Sequence, residues 1–319
     1  MSTTDSRNLL TDNPPALYEA RFPDPPDHVA ARFVDDIVRT YLPARVNSPE
    51  RHRNSILDLG CGTGRDLGYL ADRGYRCVGL DRSEAMVSYA RLHHRSAAFA
   101  VDDLREFSLG AYFDAIICLD SSLLYCHTDL ELESCLSSCR HHLRDGGLLV
   151  AEMRNGAFFL GNTELLDHPP TCSSFSWQGD TWQAETTLWI DHAAQLLRRR
   201  RRWSVSGESD DLLQTSAWRL LFPVELTSHL RRAGFRVKAI FDTPWSPRRK
   251  RLANPLPIPP SCQVFSVEHR SLGGTGCTSS PRQSDTPLPR TRFLLLHRSR
   301  RQTHDPAPVP AQAAAPEPS

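Results

Sequence analysis

Lysine is almost missing from this chain of 319 residues: Lys238 and Lys250 are the only two, although arginine is plentiful. That bias follows the composition of a GC-rich genome and marks no function. Long apolar runs are missing too. No stretch approaches the roughly 18 apolar residues of a membrane span, and the opening MSTTDSRNLLTDNPP has no apolar core for a secretion signal. A cytoplasmic protein without a membrane partner is the expectation. Charge of one sign is also lacking, since the net value is +1, too flat to draw the chain to nucleic acid or an anionic surface. The nine cysteines show neither a C-x-x-C pair nor a Cys/His spacing that would hold zinc. No metal is expected, and reduced, buried thiols are the plainer reading.

What is present is concentrated between Ser55 and Asp81, which read SILDLGCGTGRDLGYLADRGYRCVGLD. An apolar strand-like run (Ile56, Leu57, Leu59) enters Gly60, Gly62 and Gly64. A helix-length segment follows, and a second apolar run (Cys77 to Leu80) ends on Asp81. Glycine tolerates positive φ and lets the backbone approach a ligand closely. An acid ending the second strand, about 20 residues on, can accept both hydroxyls of a ribose. Two details argue against a dinucleotide. The glycines are spaced G-x-G-x-G instead of G-x-G-x-x-G, and Asp58 stands two residues before the first. A carboxylate there suits a ligand carrying positive charge. S-adenosylmethionine (SAM), with a sulfonium, an ammonium and no phosphate, meets that description.

This stretch resembles the first two motifs of the class I SAM-dependent methyltransferases, of the small-molecule type that includes sugar and glycine N-methyltransferases. The resemblance covers about residues 16–270, most firmly 55–120. It implies an α/β, Rossmann-like seven-stranded sheet, six strands parallel and one reversed, with helices on both faces and an antiparallel β-cap insertion. The periodicity of the chain divides it similarly. Residues 1–50 contain a helix over 28–42, with Val29, Phe33, Ile37 and Tyr41 on one stripe. Residues 51–170 alternate strand and helix, the pattern of a parallel sheet, and form the expected SAM-binding domain. Residues 171–220 switch to alternating aromatic and polar residues, a β-cap. Residues 221–270 close the domain, with strands expected at 235–241 and 262–269. Residues 271–319, rich in Pro, Gly, Ser and Ala, read as a disordered tail around a short basic-apolar piece, TRFLLLHRSRR.

Further candidates come with the resemblance. In AFAVDDLREF, Asp103 matches the carboxylate that takes the adenine amino group, and the Leu104 N–H the donor to the ring; Met86 offers an apolar face for stacking. Leu119, Asp120 and Ser121 end the fourth strand, at the carboxyl edge where open α/β sheets bind ligands. Glu152, Arg154 and Asn155 end the fifth; Arg154 could grip a polar or carboxylate-bearing acceptor. Tyr18 matches a tyrosine that closes over the methyl group, and Arg219 with Glu225 a stretch on the acceptor side. Tyr18, Asp120 and Arg219 are thus the catalytic candidates. Asp58, Gly60, Gly62, Gly64, Asp81, Met86, Asp103, Leu104 and Leu119 are the cofactor-binding ones.

The resemblance implies methyl transfer from SAM to a small-molecule acceptor in bacterial secondary metabolism, by a monomer or homodimer. An RNA or protein methyltransferase is disfavoured by the missing (Asn/Asp)-Pro-Pro-aromatic element and the flat charge. The five arginines at 198–202 do not restore it, because on a strand at most three share a side. The remaining alternative is a SAM-binding scaffold without activity.

Overall fold

Every residue of β1 (Ser55–Leu59) is buried, as befits a strand covered by helices on both faces. It pairs in parallel with β2 (Arg76–Asp81) and with β4 (Phe113–Cys118). β3 (Ala98–Val101) and β5 (Leu143–Glu152) extend the sheet in parallel on either side. The structure, a computed structural model, describes residues 15–22, 28–42, 54–159, 166, 170–206, 211–241 and 293–298.

Strand alternation sorts the core into two layers. Ile56, Ala115, Ile117 and Val150 face α2 (Val29–Tyr41), α3 (Arg65–Asp72) and α4 (Glu84–His93), meeting Val34, Val38, Leu67, Leu70 and Val87. Leu57, Leu59, Ile116 and Leu149 face α5 (Asp129–His142) and α6 (Pro223–Arg232), meeting Leu132, Leu136, Leu226 and Leu230. The helix ends follow local chemistry. Ser83 Oγ accepts the Met86 N–H at 3.4 Å to open α4, and Thr128 with Glu131 forms a capping box on α5. Pro223 opens α6, and Gly234, at φ 81°, lies just past its end.

The sheet runs β10-β11-β5-β4-β1-β2-β3, where β10 is Phe235–Phe241 and β11 is Phe293–Arg298. β11 is antiparallel to both β5 and β10 and is the reversed strand. This corrects the sequence reading at one point. The seventh strand was expected at 262–269, which lies outside the described residues, and 293–298 was assigned to a disordered tail. FLLLHR is the segment that pairs between β5 and β10. An apolar run of three leucines after Phe293 has the composition of a strand; its basic, Pro-rich surroundings hid it.

A second, four-stranded antiparallel sheet consists of β6 (Thr171–Trp177), β7 (Asp180–Asp191), β8 (Leu196–Val205) and β9 (Leu212–Arg219). α1 (Pro15–Arg21) docks on it: Leu17 and Tyr18 pack among Phe175, Trp177, Trp182, Ala184 and Trp203. Trp203 is fully buried, and its ring lies 5.9 Å from Phe175 and 6.2 Å from Trp182. Its Nε1–H donates to Gln214 Oε1 at 3.2 Å, which satisfies the indole inside the cluster. Three of the five tryptophans in 171–218 thus fasten the N-terminal helix to the cap.

A chain ended after residue 270 would lack β11 and leave two facing strand edges with unpaired N–H and C=O groups. It should show a lower, broadened melt and aggregate, whereas a chain ended after Arg298 should melt like the full-length protein. Equal melting curves for the two truncations would show that β11 does not hold the sheet together.

Candidate active site

Gly60, Gly62 and Gly64 take φ of 77°, 54° and 81°, a sequence of left-handed residues that only glycine adopts without strain. The three have different surroundings. A Cβ on Gly60 would fall 2.7 Å from Ser122 Oγ and one on Gly64 2.8 Å from the Phe99 ring, whereas one on Gly62 would meet nothing within 4 Å. Gly60 and Gly64 are therefore needed for packing, and Gly62 faces open space at the carboxyl edge of the sheet. The turn is tied to β2. Gly60 and Cys61 donate to the Leu80 carbonyl at 2.8 and 3.0 Å. Asp81 accepts the Gly62 N–H on Oδ2 and the Ser83 N–H on Oδ1, each at 2.9 Å.

Below the turn, Asp58 is buried, and its Oδ1 has no hydrogen-bond partner among the described residues. Burial, then Asp66 and Asp81, push its carboxyl well above the usual range. Asp81 is also raised by burial, against the two backbone N–H groups it accepts. The floor is acidic and incompletely satisfied. Met86 is buried close by in sequence on α4, and Leu119 is buried at the end of β4. Leu104 reaches the turn, its Cδ2 3.8 Å from where a Gly60 Cβ would lie. Asp103 is engaged elsewhere. Both its oxygens accept from Arg105, Nε at 3.0 Å and Nη2 at 2.5 Å. Burial would raise it, but these contacts outweigh that and hold it below the usual range.

The edge beyond β4 is strained. Asp120 and Ser121 take φ of 53° and 67°, which costs non-glycine residues roughly 1–3 kcal/mol each. Glu152 holds them there: its Oε2 accepts the Asp120 N–H and its carbonyl the Ser121 N–H, both at 3.2 Å. Ser121 Oγ in turn accepts the Arg154 N–H at 3.1 Å. Tyr18 comes to this edge from α1. Burial and then Asp120 push its phenol above the ordinary range, and Arg65 sits 5.4 Å over its ring while pairing with Glu19 at 2.9 Å. Opposite stands Tyr125, its ring 6.3 Å from Trp218 of the cap. Burial raises Tyr125, while Arg199, Arg82 and Arg154 oppose the shift. Tyr18, Tyr125, Arg154, Arg199 and Trp218 all keep partial exposure, so they line a cleft between the sheet edge and the cap.

The structure thus brings Tyr18 and Asp120 together and sends Arg219 elsewhere. Arg219 is buried and on the opposite side of β9 from its neighbour Trp218, as alternation demands. Its Nη2 lies 2.5 Å from both Asp129 and Glu225, tying β9 to the starts of α5 and α6 instead of lining the acceptor side. His229 completes a group with those two carboxylates that could hold a cation, but the guanidinium already sits between them. Tyr125 and Arg199 were not singled out from sequence. Tyr125 has no motif around it, and Arg199 was hidden in a run of like residues; the period of two along β8 was the available signal.

A methyltransferase-domain family model matches residues 56–147. YqeM of Bacillus subtilis, named as a methyltransferase, is 30% identical over 216 residues, 64% of this chain and 83% of that protein. The chain belongs to the class I SAM-dependent methyltransferases. This methyltransferase is also 34% identical over 122 residues to the dTDP-3-amino-3,4,6-trideoxy-alpha-D-glucopyranose N,N-dimethyltransferase of Streptomyces venezuelae, 38% of this chain and 48% of that one. It therefore spans about half the length of that relative. In fold it is similar to the sugar N-methyltransferase KedS8 from Streptoalloteichus, with a TM-score of 0.63 at 20% identity, over 94% of this chain and 97% of that chain.

The charge on Asp58 carries a stability cost that can be measured. A carboxyl whose pKa is raised by folding favours the fold below the ordinary carboxyl range, and that contribution is lost as pH rises through the raised value. The protein without ligand should become less stable over that rise, and Asp58→Asn should flatten the profile and raise the melting temperature at its alkaline end. A variant melting lower than wild type at every pH would mean that Asp58 is satisfied in the fold.

Proposed function

We propose that this protein transfers a methyl group from SAM to a small-molecule acceptor carrying an amine, in bacterial secondary metabolism. The observation that carries the reading is the pairing of an unsatisfied acidic floor with an open glycine. Asp58 Oδ1 has no partner among the described residues, and nothing described lies within 4 Å of a Cβ built on Gly62. A cationic ligand without phosphate answers both. The residues that would hold it are Asp58, Gly60, Gly62, Gly64 and Asp81, with Met86, Leu104 and Leu119 as apolar lining. Asp103 would join them as a carboxylate whose orientation Arg105 has fixed. When bound, SAM supplies an electrophilic methyl on a sulfonium that is already an excellent leaving group.

The chain's own contribution is then to align the acceptor and exclude water, catalysis by proximity and orientation. α1 covers the cleft from one side and the cap from the other. Tyr18 keeps its proton, because burial and Asp120 both oppose ionisation; at neutral pH it serves as a donor and not as a base. Asp120 is the carboxylate beside it and would take the proton of an ammonium acceptor. The amine follows the aminosugar dimethyltransferase from Streptomyces venezuelae. A nucleic-acid substrate is disfavoured by the arginine run itself: Arg198 pairs with Asp191 at 2.9 Å, and Arg202 pairs with Glu185, so two of the three outward members are already neutralised.

Calorimetry with SAM tests the reading directly, and two variants sharpen it. Asp81→Ala should lose roughly 2–4 kcal/mol of SAM affinity, the scale of two hydrogen bonds to a charged group at about 1.5–3 kcal/mol each; unchanged affinity would remove Asp81 from the site. Gly62→Val places a β-branched residue at positive φ and fills the free space, so binding should be undetectable in a protein that still melts cooperatively. Normal SAM binding by that variant would reassign the turn to packing alone.

A further inference from the structure

The arginines of β8 differ in what they meet. Arg198 and Arg202, facing out, have carboxylate partners. Arg199 faces the cleft and has none among the described residues. Its Nη2 donates to Ser216 Oγ at 2.9 Å, its Nε is buried without a partner, and its guanidinium lies 4.8 Å over the Trp218 ring. Burial lowers its pKa to about 10, with Arg154 adding to the effect and Tyr125 opposing it. Arg154 approaches the same Trp218 ring at 5.9 Å and likewise forms no ion pair among the described residues. Two guanidinium groups thus share one indole at the cap edge of the cleft without a counter-charge.

That arrangement is costly for the protein alone. A desolvated cation is tolerated when it is paired and hydrogen-bonded, and a guanidinium fork is shaped for the two oxygens of a carboxylate or phosphate. Of the acidic groups nearest the cleft, Asp58 and Asp81 lie in the floor, Glu152 is occupied by the backbone of Asp120, and Asp120 stands beside Tyr18 on the β4 edge. No described residue supplies the missing partner, and a bound anion would.

We propose that Arg199, with Arg154 beside it, binds an anionic oxygen group of the acceptor, a carboxylate or a phosphate ester, and so selects acceptors that are anionic at one end and nucleophilic at the other. This rests on the methyltransferase reading above. It divides the cleft by charge: an acidic floor for the cationic cofactor and a basic wall for the acceptor. Trp218 keeps both guanidinium planes in place by stacking, and Ser216 fixes the rotation of Arg199.

The test uses the full-length protein and two probes, inorganic phosphate and acetate, titrated at constant ionic strength against chloride, with melting temperature and calorimetry as readouts. At least one anion should stabilise the protein beyond chloride. Phosphate alone points to a phosphorylated acceptor, and acetate as well to a carboxylate. Arg199→Leu should weaken that anion at least tenfold, Arg154→Gln should weaken it less, and Arg199→Leu should bind SAM as wild type does. Neither anion acting beyond chloride, or full retention of the effect in Arg199→Leu, overturns the proposal. If Arg199→Leu does not fold, the wild-type titration and Arg154→Gln decide: an anion effect that is present and indifferent to Arg154→Gln counts against it. SAM calorimetry on wild type separates the two readings, since failure to bind SAM sinks the methyltransferase reading, and an absent anion effect with SAM bound sinks this one alone.

Discussion

The turn after β1 is held from the neighbouring strand. Three residues at positive φ give up more backbone freedom on ordering than any others would, and hydrogen bonds from β2 stabilise the ordered turn. Leu80 fixes its start through two N–H groups, and Asp81 fixes its middle through Gly62 while also holding Ser83 at the head of α4. One carboxylate thus sets the geometry of the glycine turn, the start of a helix and the acidity of the floor. The placement of α3 and α4, of Gly62 towards open space, and of Arg65 over the Tyr18 ring all descend from that tie.

Opposed costs run through the cleft. The floor concentrates negative charge where burial disfavours it, the β4 edge keeps two residues in a left-handed conformation, and the cap presents an arginine without a carboxylate. Each feature lowers the stability of the chain by itself, and functional sites are where proteins keep such features. The rest of the fold offsets them. The two-layer core of the sheet, the buried Trp203 cluster and the Arg219 link between β9, α5 and α6 supply packing and ion pairs to set against them.

Much of this was legible in the chain before the structure. Gly60, Gly62, Gly64 and Asp81 are spaced by a backbone requirement, and such a requirement is written locally. The helix signals at Ser83, Thr128 and Pro223 were equally plain, for the same reason. What escaped was non-local. FLLLHR carries no mark that it pairs with β5 across more than 140 residues of sequence, while a more attractive apolar run stood at 262–269. The alternation at 171–220 announced a β-cap, but nothing in the spacing of Trp177, Trp182 and Trp203 shows that Leu17 and Tyr18 will cover them. The short motif around Arg219 pointed to the acceptor, yet strand alternation turned that side chain away and gave the position to Trp218. Asp103 lies in the loop after β3, and its engagement by Arg105, two residues on, was not foreseen.

The position of β11 has a consequence for how the molecule is made. A growing chain emerges from its N-terminus, and β1 to β5 can pair as they appear, because each new strand joins one already present. β10 cannot follow this rule: among the described strands its one partner is β11, which is synthesised about fifty residues later. Until the ribosome has released the segment through Arg298, β5 ends the sheet with an open edge and β10 has nowhere to dock. Closure is therefore a late, long-range event, of the kind that slows folding and leaves an edge open to other chains. The cofactor end of the sheet, built from β1, β2 and β4, is complete well before that moment.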